Sequence, residues 1–178
     1  MPTRDLDPVT RLTTDAVGVP GKRTFFLQAS TGAEQVTLLV EKEQIQLLAE
    51  RLQGWLPELA AARPEDPQEA AAAESSTLDL QEPLVPAFRV GQFSLVYDAE
   101  RDRITVVAEE LLADDEEDEQ DPQEVRMVVT RPQLRVLAKH GADVVSRGRP
   151  SCPLCGNAMD PDGHVCPAQN GHRPFAAR

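Results

Sequence analysis

The sequence predicts an α+β protein. Two tandem β-β-β-α units form one or two antiparallel sheets covered by two helices, and a small zinc-knuckle-like module comes after them. Three observations carry this expectation. First, "VTLLVEKEQIQLLAERL", from Val36, and "VRMVVTRPQLRVLAKHG", from Val125, align without a gap at an offset of 89; Val36/Val125, Val40/Val129, Gln44/Gln133, Leu48/Leu137 and Ala49/Ala138 are identical. Second, each segment opens as a β-branched apolar run and passes at once into helical spacing, so a strand feeds a helix. Third, all three cysteines and two of the three histidines fall within "SCPLCGNAMDPDGHVCPAQNGHR", residues 151–173.

The elements are taken in chain order. "TRLTTDAV" (10–17) and "RTFFLQAS" (23–30) read as strands separated by the turn-like "GVPGK", which predicts a hairpin. After the strand at Val36 the helix places Ile45, Leu48, Leu52, Trp55, Leu56 and Leu59 on one stripe. "AARPEDPQEAAAAESSTLDLQEP" (61–83) has the composition of a linker. "FRVGQFSLVYD" (88–98) and "RITVVAEEL" (103–111), separated by "DAERD", predict a second hairpin. In the second strand-to-helix segment Thr130 stands three residues before Gln133, with Pro132 in the first turn, which makes a capping box. Leu134, Leu137, Gly141, Val144 and Val145 form that helix's apolar stripe. Trp55, Phe25 and Phe26 belong in the core, because large aromatics in amphipathic elements supply burial. The expected division is therefore 1–62, first unit; 63–84, flexible linker; 85–148, second unit with an acidic loop at 113–123; and 149–178, zinc-binding tail.

Charge is unevenly spread. Residues 1–122 carry a formal −16 and residues 123–178 carry +4, for a total of −12. Much of the acidity is the run "DDEEDEQD" at 114–121, whose self-repulsion predicts a solvated loop. No apolar run approaches the roughly 20 residues that span a bilayer, and the N-terminal residues lack the basic-then-apolar order of a signal peptide. The expectation is a soluble cytoplasmic protein. An odd cysteine count with a tight Cys-x-x-Cys fits a reducing compartment and metal chemistry better than a disulfide framework.

The cluster reads Cys152-x2-Cys155-x8-His164-x-Cys166-x5-His172. A Cys-x-x-Cys turn with Pro153 and Gly156 aims both thiolates at one point, and Cys166 adds a third sulfur. His164 and Cys166, two apart on an extended segment, point to the same side, so His164 is the preferred fourth ligand and His172 the alternative. Asp160 and Asp162 read as turn formers between the two halves. Four protein ligands close the coordination shell, so the zinc is structural: it leaves no open position for catalysis and folds a segment that lacks a core of its own.

With these motifs in place, "GKRTFFLQA", "VEKEQ", "FRVG", "GRPSCPLCG" and the closing "GHVCP..NG" resemble, over nearly the whole chain, the actinobacterial proteins grouped as domain of unknown function 3090. The resemblance implies no established activity. It implies a cytoplasmic, high-GC Gram-positive setting in which genes for histidine-phosphatase-like and kinase-like proteins often lie nearby. The family's usual ending carries an aromatic where this chain has His172.

No catalytic constellation is recognised. "GVPGKRT" has too short a glycine spacing for a phosphate-binding loop and leads into a strand. His140 has no nucleophile or carboxylate pair at usable spacing. The function that remains is a non-enzymatic adaptor with an unknown protein partner. The alternative is a nucleic-acid-associated zinc module using Arg131, Arg135 and Lys139, which recur every four residues on the second helix. Against it stand the missing aromatic stacking platform and the carboxylates with which such a stripe can pair.

Overall fold

The computed structural model describes residues 3–112, 121–148, 152–157, 159, 164 and 166–170. Among the described residues eleven elements succeed one another: β1 (Thr3–Leu6), β2 (Arg11–Val17), β3 (Thr24–Ser30), β4 (Gln35–Val40), α1 (Lys42–Ala62), α2 (Pro67–Glu74), β5 (Val90–Asp98), β6 (Arg103–Glu110), β7 (Glu124–Val129), α3 (Arg131–Ser146) and the short α4 (Pro167–Asn170). The order β-β-β-α thus occurs from β2 to α1 and again, after α2, from β5 to α3. The strands form two sheets, ordered β2-β3-β4 and β1-β7-β6-β5.

Local chemistry accounts for the predicted elements. The β2–β3 hairpin turns through Gly18 and Gly21, both at positive φ, with the Lys22 N–H on the Val19 carbonyl at 2.9 Å. Asp98 turns the β5–β6 hairpin by accepting the Glu100 and Arg101 N–H groups, each at 3.0 Å. Both helices open with a capping box. In α3 Thr130 and Gln133 exchange bonds of 3.2 and 2.8 Å, and in α1 the Gln44 side chain accepts the Glu41 N–H at 2.8 Å while the Gln44 N–H bonds the Glu41 carbonyl at 3.1 Å. Pro132 sits in the first turn of α3, where its missing N–H costs no helix bond.

One apolar core joins the two sheets to both long helices. Leu27, Val36 and Leu38 of the three-stranded sheet, Ile104, Val106 and Met127 of the four-stranded sheet, and Ile45, Leu52, Leu134 and Leu137 of the helices all lie in it. Phe25 and Phe26 are buried, while Trp55 and Leu59 pack partly buried at its edge. Trp55 meets Tyr97 edge to face at 6.2 Å. Gly141 lets α3 approach α1 and β2 closely: a Cβ there would stand 3.0 Å from Ile45 Cγ2 and 3.3 Å from Thr14 Cγ2.

Two features differ from the expectation. β1 is an additional strand, and it pairs in parallel with β7, Thr3 opposite Glu124 through Leu6 opposite Met127. Residues 3–6 therefore complete the four-stranded sheet. "TRDL" contains one apolar residue, Leu6, which is fully buried; an alternation that short gives no strand signal.

The second is the segment expected to be a flexible linker. It contains α2, capped by the Asp66 side chain on the Gln68 N–H, and it is then fastened across the outer face of the three-stranded sheet. Arg11 donates to the Thr77 and Asp79 carbonyls and Thr13 to the Leu78 carbonyl. Gln28, fully buried, binds residue 81 as a neighbouring strand would: its Oε1 accepts the Gln81 N–H at 2.9 Å and its Nε2 donates to the Gln81 carbonyl at 2.8 Å. The same amide accepts from Arg11 and donates to Thr37, so its four bonding positions are used. Composition misleads here because polar side chains on the sheet hold the strap through its backbone. Gln28→Leu strands buried donors at about 1–3 kcal/mol each. The expected result is a lower denaturation midpoint together with new protease cleavage between residues 75 and 83.

Candidate metal centre

After α3 the chain has little apolar material, and residues 152–157 form one hydrogen-bonded turn. The Cys152 carbonyl accepts the Gly156 N–H at 2.8 Å, and the Cys152 N–H donates to the Asn157 carbonyl at 2.8 Å. Gly156 has φ +76°, and a Cβ there would meet nothing within 4 Å. Backbone conformation rather than space therefore calls for glycine at that position. This turn places the Cys152 and Cys155 sulfurs on one side, and His164 and Cys166 come back against them.

The four ligand atoms lie within 4.8 Å of one another. Cys152 Sγ stands 3.8 Å from Cys166 Sγ, and Cys155 Sγ stands 3.3 Å from His164 Nε2. Cys152 and Cys166 are buried, while Cys155 and His164 are half-buried. The Leu154 N–H, 3.4 Å from Cys152 Sγ, is the main reason that this thiol is held below its usual pKa. Cys155 differs: the Asn157 N–H favours its thiolate, but burial and the neighbouring Cys166 and Cys152 sulfurs together push its pKa up. A cation among these atoms would reverse that balance, since a coordinating thiol is deprotonated. Three sulfurs and an imidazole this close together can hold a metal ion, and they fill four positions with protein atoms. His172, Asp160 and Asp162 lie outside the described residues, as does the greater part of the acidic run, 113–120.

The basic residues of α3 do not share one surface. Arg131 is 1 % exposed. Its Nε and Nη2 bind the two oxygens of Asp102 at 2.8 and 2.7 Å, and its Nη1 and Nη2 donate to the Arg63 and Pro64 carbonyls at 2.8 and 3.2 Å. Asp102, in the β5–β6 turn at φ +54°, also accepts the Tyr97 hydroxyl at 2.9 Å. Burial opposes ionisation of Asp102, but the bonds from Arg131 and Tyr97 prevail and hold its carboxyl below the usual range. The bond to Asp102 raises the Arg131 pKa, and burial and that same carboxylate's bond raise the Tyr97 pKa. Arg135 is paired with Glu65 and Glu74 at 3.3 and 3.2 Å. Lys139 is exposed. Arg131 therefore corrects the expectation of a presented stripe: helical spacing placed it beside Arg135, but at the first position of α3 it turns into the β5–β6 hairpin. Nothing local signals the partnership, because Asp102 lies 29 residues away.

His140 is half-buried, with Nε2 at 3.9 Å from Asp15 Oδ2 and without a hydrogen-bond partner among the described residues. No described helix is long and apolar enough to cross a membrane.

The chain is thus an α+β protein with a Cys3His cluster at its C-terminal end that can hold a metal ion. The profile of the family described as protein of unknown function DUF3090 matches residues 4–166, and the chain belongs to that family. The match runs from β1 through the last cysteine of the cluster. No curated protein and no solved structure is similar enough to match.

Proposed function

We propose that this protein is a non-enzymatic interaction protein whose C-terminal segment is folded around one structural zinc ion held by Cys152, Cys155, Cys166 and His164. The observation that carries the zinc is the donor geometry. A tetrahedral ion with zinc–sulfur bonds of about 2.3 Å and a zinc–nitrogen bond of about 2.0–2.1 Å sets sulfur–sulfur edges of about 3.8 Å and sulfur–nitrogen edges of about 3.6 Å. The Cys152–Cys166 separation of 3.8 Å equals the first, the Cys155–His164 separation of 3.3 Å is slightly inside the second, and the whole set lies within 4.8 Å, so a bound ion would draw the four atoms closer together. Three free cysteines suit a reducing, cytoplasmic setting.

An adaptor fits better than a nucleic-acid module because the stripe is largely neutralised from within. Asp102 takes Arg131, and Glu65 and Glu74 take Arg135. A net charge of −12 adds repulsion of phosphate. We also read the two β-β-β-α runs as copies of one unit. The reading is supported by Lys42 and Arg131, the first residues of α1 and α3, which stand 89 apart, the same offset that aligns the sequences.

Ligand identity is tested by metal content. His172→Ala is expected to keep about one zinc per chain, whereas His164→Ala loses tight binding, as removal of one of four ligands should. The reverse pattern would assign the fourth position to His172. The interaction role is tested by analytical sedimentation of the full chain with extracts fractionated at low and high salt. A complex of defined mass that resists salt supports an apolar protein interface, and loss into salt-sensitive RNA or DNA contradicts it.

A further inference from the structure

β5 is the longest strand among the described residues and ends its sheet. From Val90 to Tyr97 it carries no charge in a chain that is 27% charged. Edge strands of soluble proteins are ordinarily kept from pairing by charge, proline or brevity, and β5 has none of these between Gln92 and Tyr97. Its one irregularity is a register shift between Val90 and Gln92, which leaves the later residues regular.

The space beside that edge is shaped as a strand position. β4 meets this side where β5 begins and just ahead of it, where Leu39 and Arg89 form a parallel bridge and the Ala87 N–H reaches the Thr37 carbonyl. The chain then leaves through Glu41 into α1, and Gln44 Nε2 covers the Val90 and Gly91 carbonyls at 3.0 and 3.1 Å. Beyond that point no described strand lies alongside. α1 continues along β5 toward the Trp55–Tyr97 contact, and a groove of about 490 Å³ remains between them. Leu47, half exposed, together with Leu48, Phe93 and Leu95 gives it apolar walls. Arg51 is the one charged residue lining it, and no carboxylate among the described residues pairs with Arg51.

We propose that this groove receives an extended segment of a partner protein, which adds as a strand to the open edge of β5. The segment places apolar side chains at every second position against Leu47, Leu48, Phe93 and Leu95, and a carboxylate against Arg51. Main-chain bonds to the edge supply affinity, and the alternating contacts supply specificity. Arg51, with no carboxylate partner among the described residues, is what selects the occupant. A second copy of this chain would bring another −12 and, through its own β5, no charge between Val90 and Tyr97 to meet Arg51. The proposal rests on the reading of the chain as an interaction protein and names the chemistry of its partner; the groove is independent of the metal cluster.

The test selects a phage-displayed random octapeptide library on the full-length protein and titrates the selected peptide, made synthetically, onto native and variant chains. The expected consensus alternates apolar residues and carries one acidic position. Bound peptide protects the amides of residues 92–97 from hydrogen exchange. Arg51→Glu weakens binding about tenfold or more, and a peptide with lysine at the acidic position restores it. Leu47→Lys, at a half-exposed position, abolishes binding while the fold and the zinc content stay unchanged. Three results overturn the proposal: no enriched sequence, protection elsewhere than 92–97, or a concentration-dependent dimer that protects 92–97 without peptide. Unchanged zinc in these variants separates failure of the groove from failure of the zinc assignment.

Discussion

Replacing Arg131 with methionine will cost about 3–5 kcal/mol of folding stability, measured by chemical denaturation, because it leaves a largely buried carboxylate without its main partner. Asp102 is 13 % exposed, against 1 % for Arg131, so water replaces little of what the guanidinium supplied. Arg63, at 3.6 Å from the same carboxylate, recovers part of the loss. The Arg63 and Pro64 carbonyls lose their donors as well, and the end of α1 comes loose from α3. Arg131→Met combined with Asp102→Asn should be less damaging than Arg131→Met alone. The neutral amide needs no counter-charge, and asparagine tolerates the positive φ of that turn.

The pH dependence of this pair has a definite sign. The folded carboxyl of Asp102 lies below its usual value, so folding favours the ionised form. The contribution is complete above the unfolded value of about 4 and is lost as pH falls through the lower folded value. The stability gap between native protein and Arg131→Met is therefore expected to be widest at neutral pH and to narrow in acid, first as the unpartnered Asp102 of the variant takes up a proton and then as the native carboxyl does.

The second large effect falls on the C-terminal segment. Cys152→Ser removes a sulfur whose backbone N–H and carbonyl also close the turn with Asn157 and Gly156. We expect complete loss of tight metal binding and rapid proteolysis after α3, with the two sheets and the α1–α3 core unaffected by circular dichroism. That separation is expected because the core cluster contains no described residue beyond Val145, so on the proposed reading the segment carrying the cysteines depends on its metal and not on the core. Added chelator should reproduce the digestion pattern in the native protein. A native tail that resists protease with its metal removed would show that the segment folds without an ion.

How far the sequence discloses this structure depends on the range of the interactions involved. Strands and helices signalled by local periodicity are where they were expected, as are both hairpins and the Thr130–Gln133 capping box. That Cys152, Cys155, His164 and Cys166 come together was legible because groups able to hold a metal fall at short spacings. Three features were not legible, and each depends on a distant partner. β1 is a strand through its parallel pairing with β7, more than a hundred residues away. The strap after α2 is held by Gln28 across 53 residues. Arg131 is internal because Asp102 waits in another hairpin. A charge at helical spacing reads as solvated until the opposite charge is placed beside it.

The central claim is most directly tested by zinc-edge X-ray absorption on protein purified under reducing conditions without added metal. The account predicts about one zinc per chain in a shell of three sulfurs at about 2.3 Å and one nitrogen at about 2.0–2.1 Å. A protein that carries no zinc, or one whose zinc is surrounded mainly by oxygen, would contradict it.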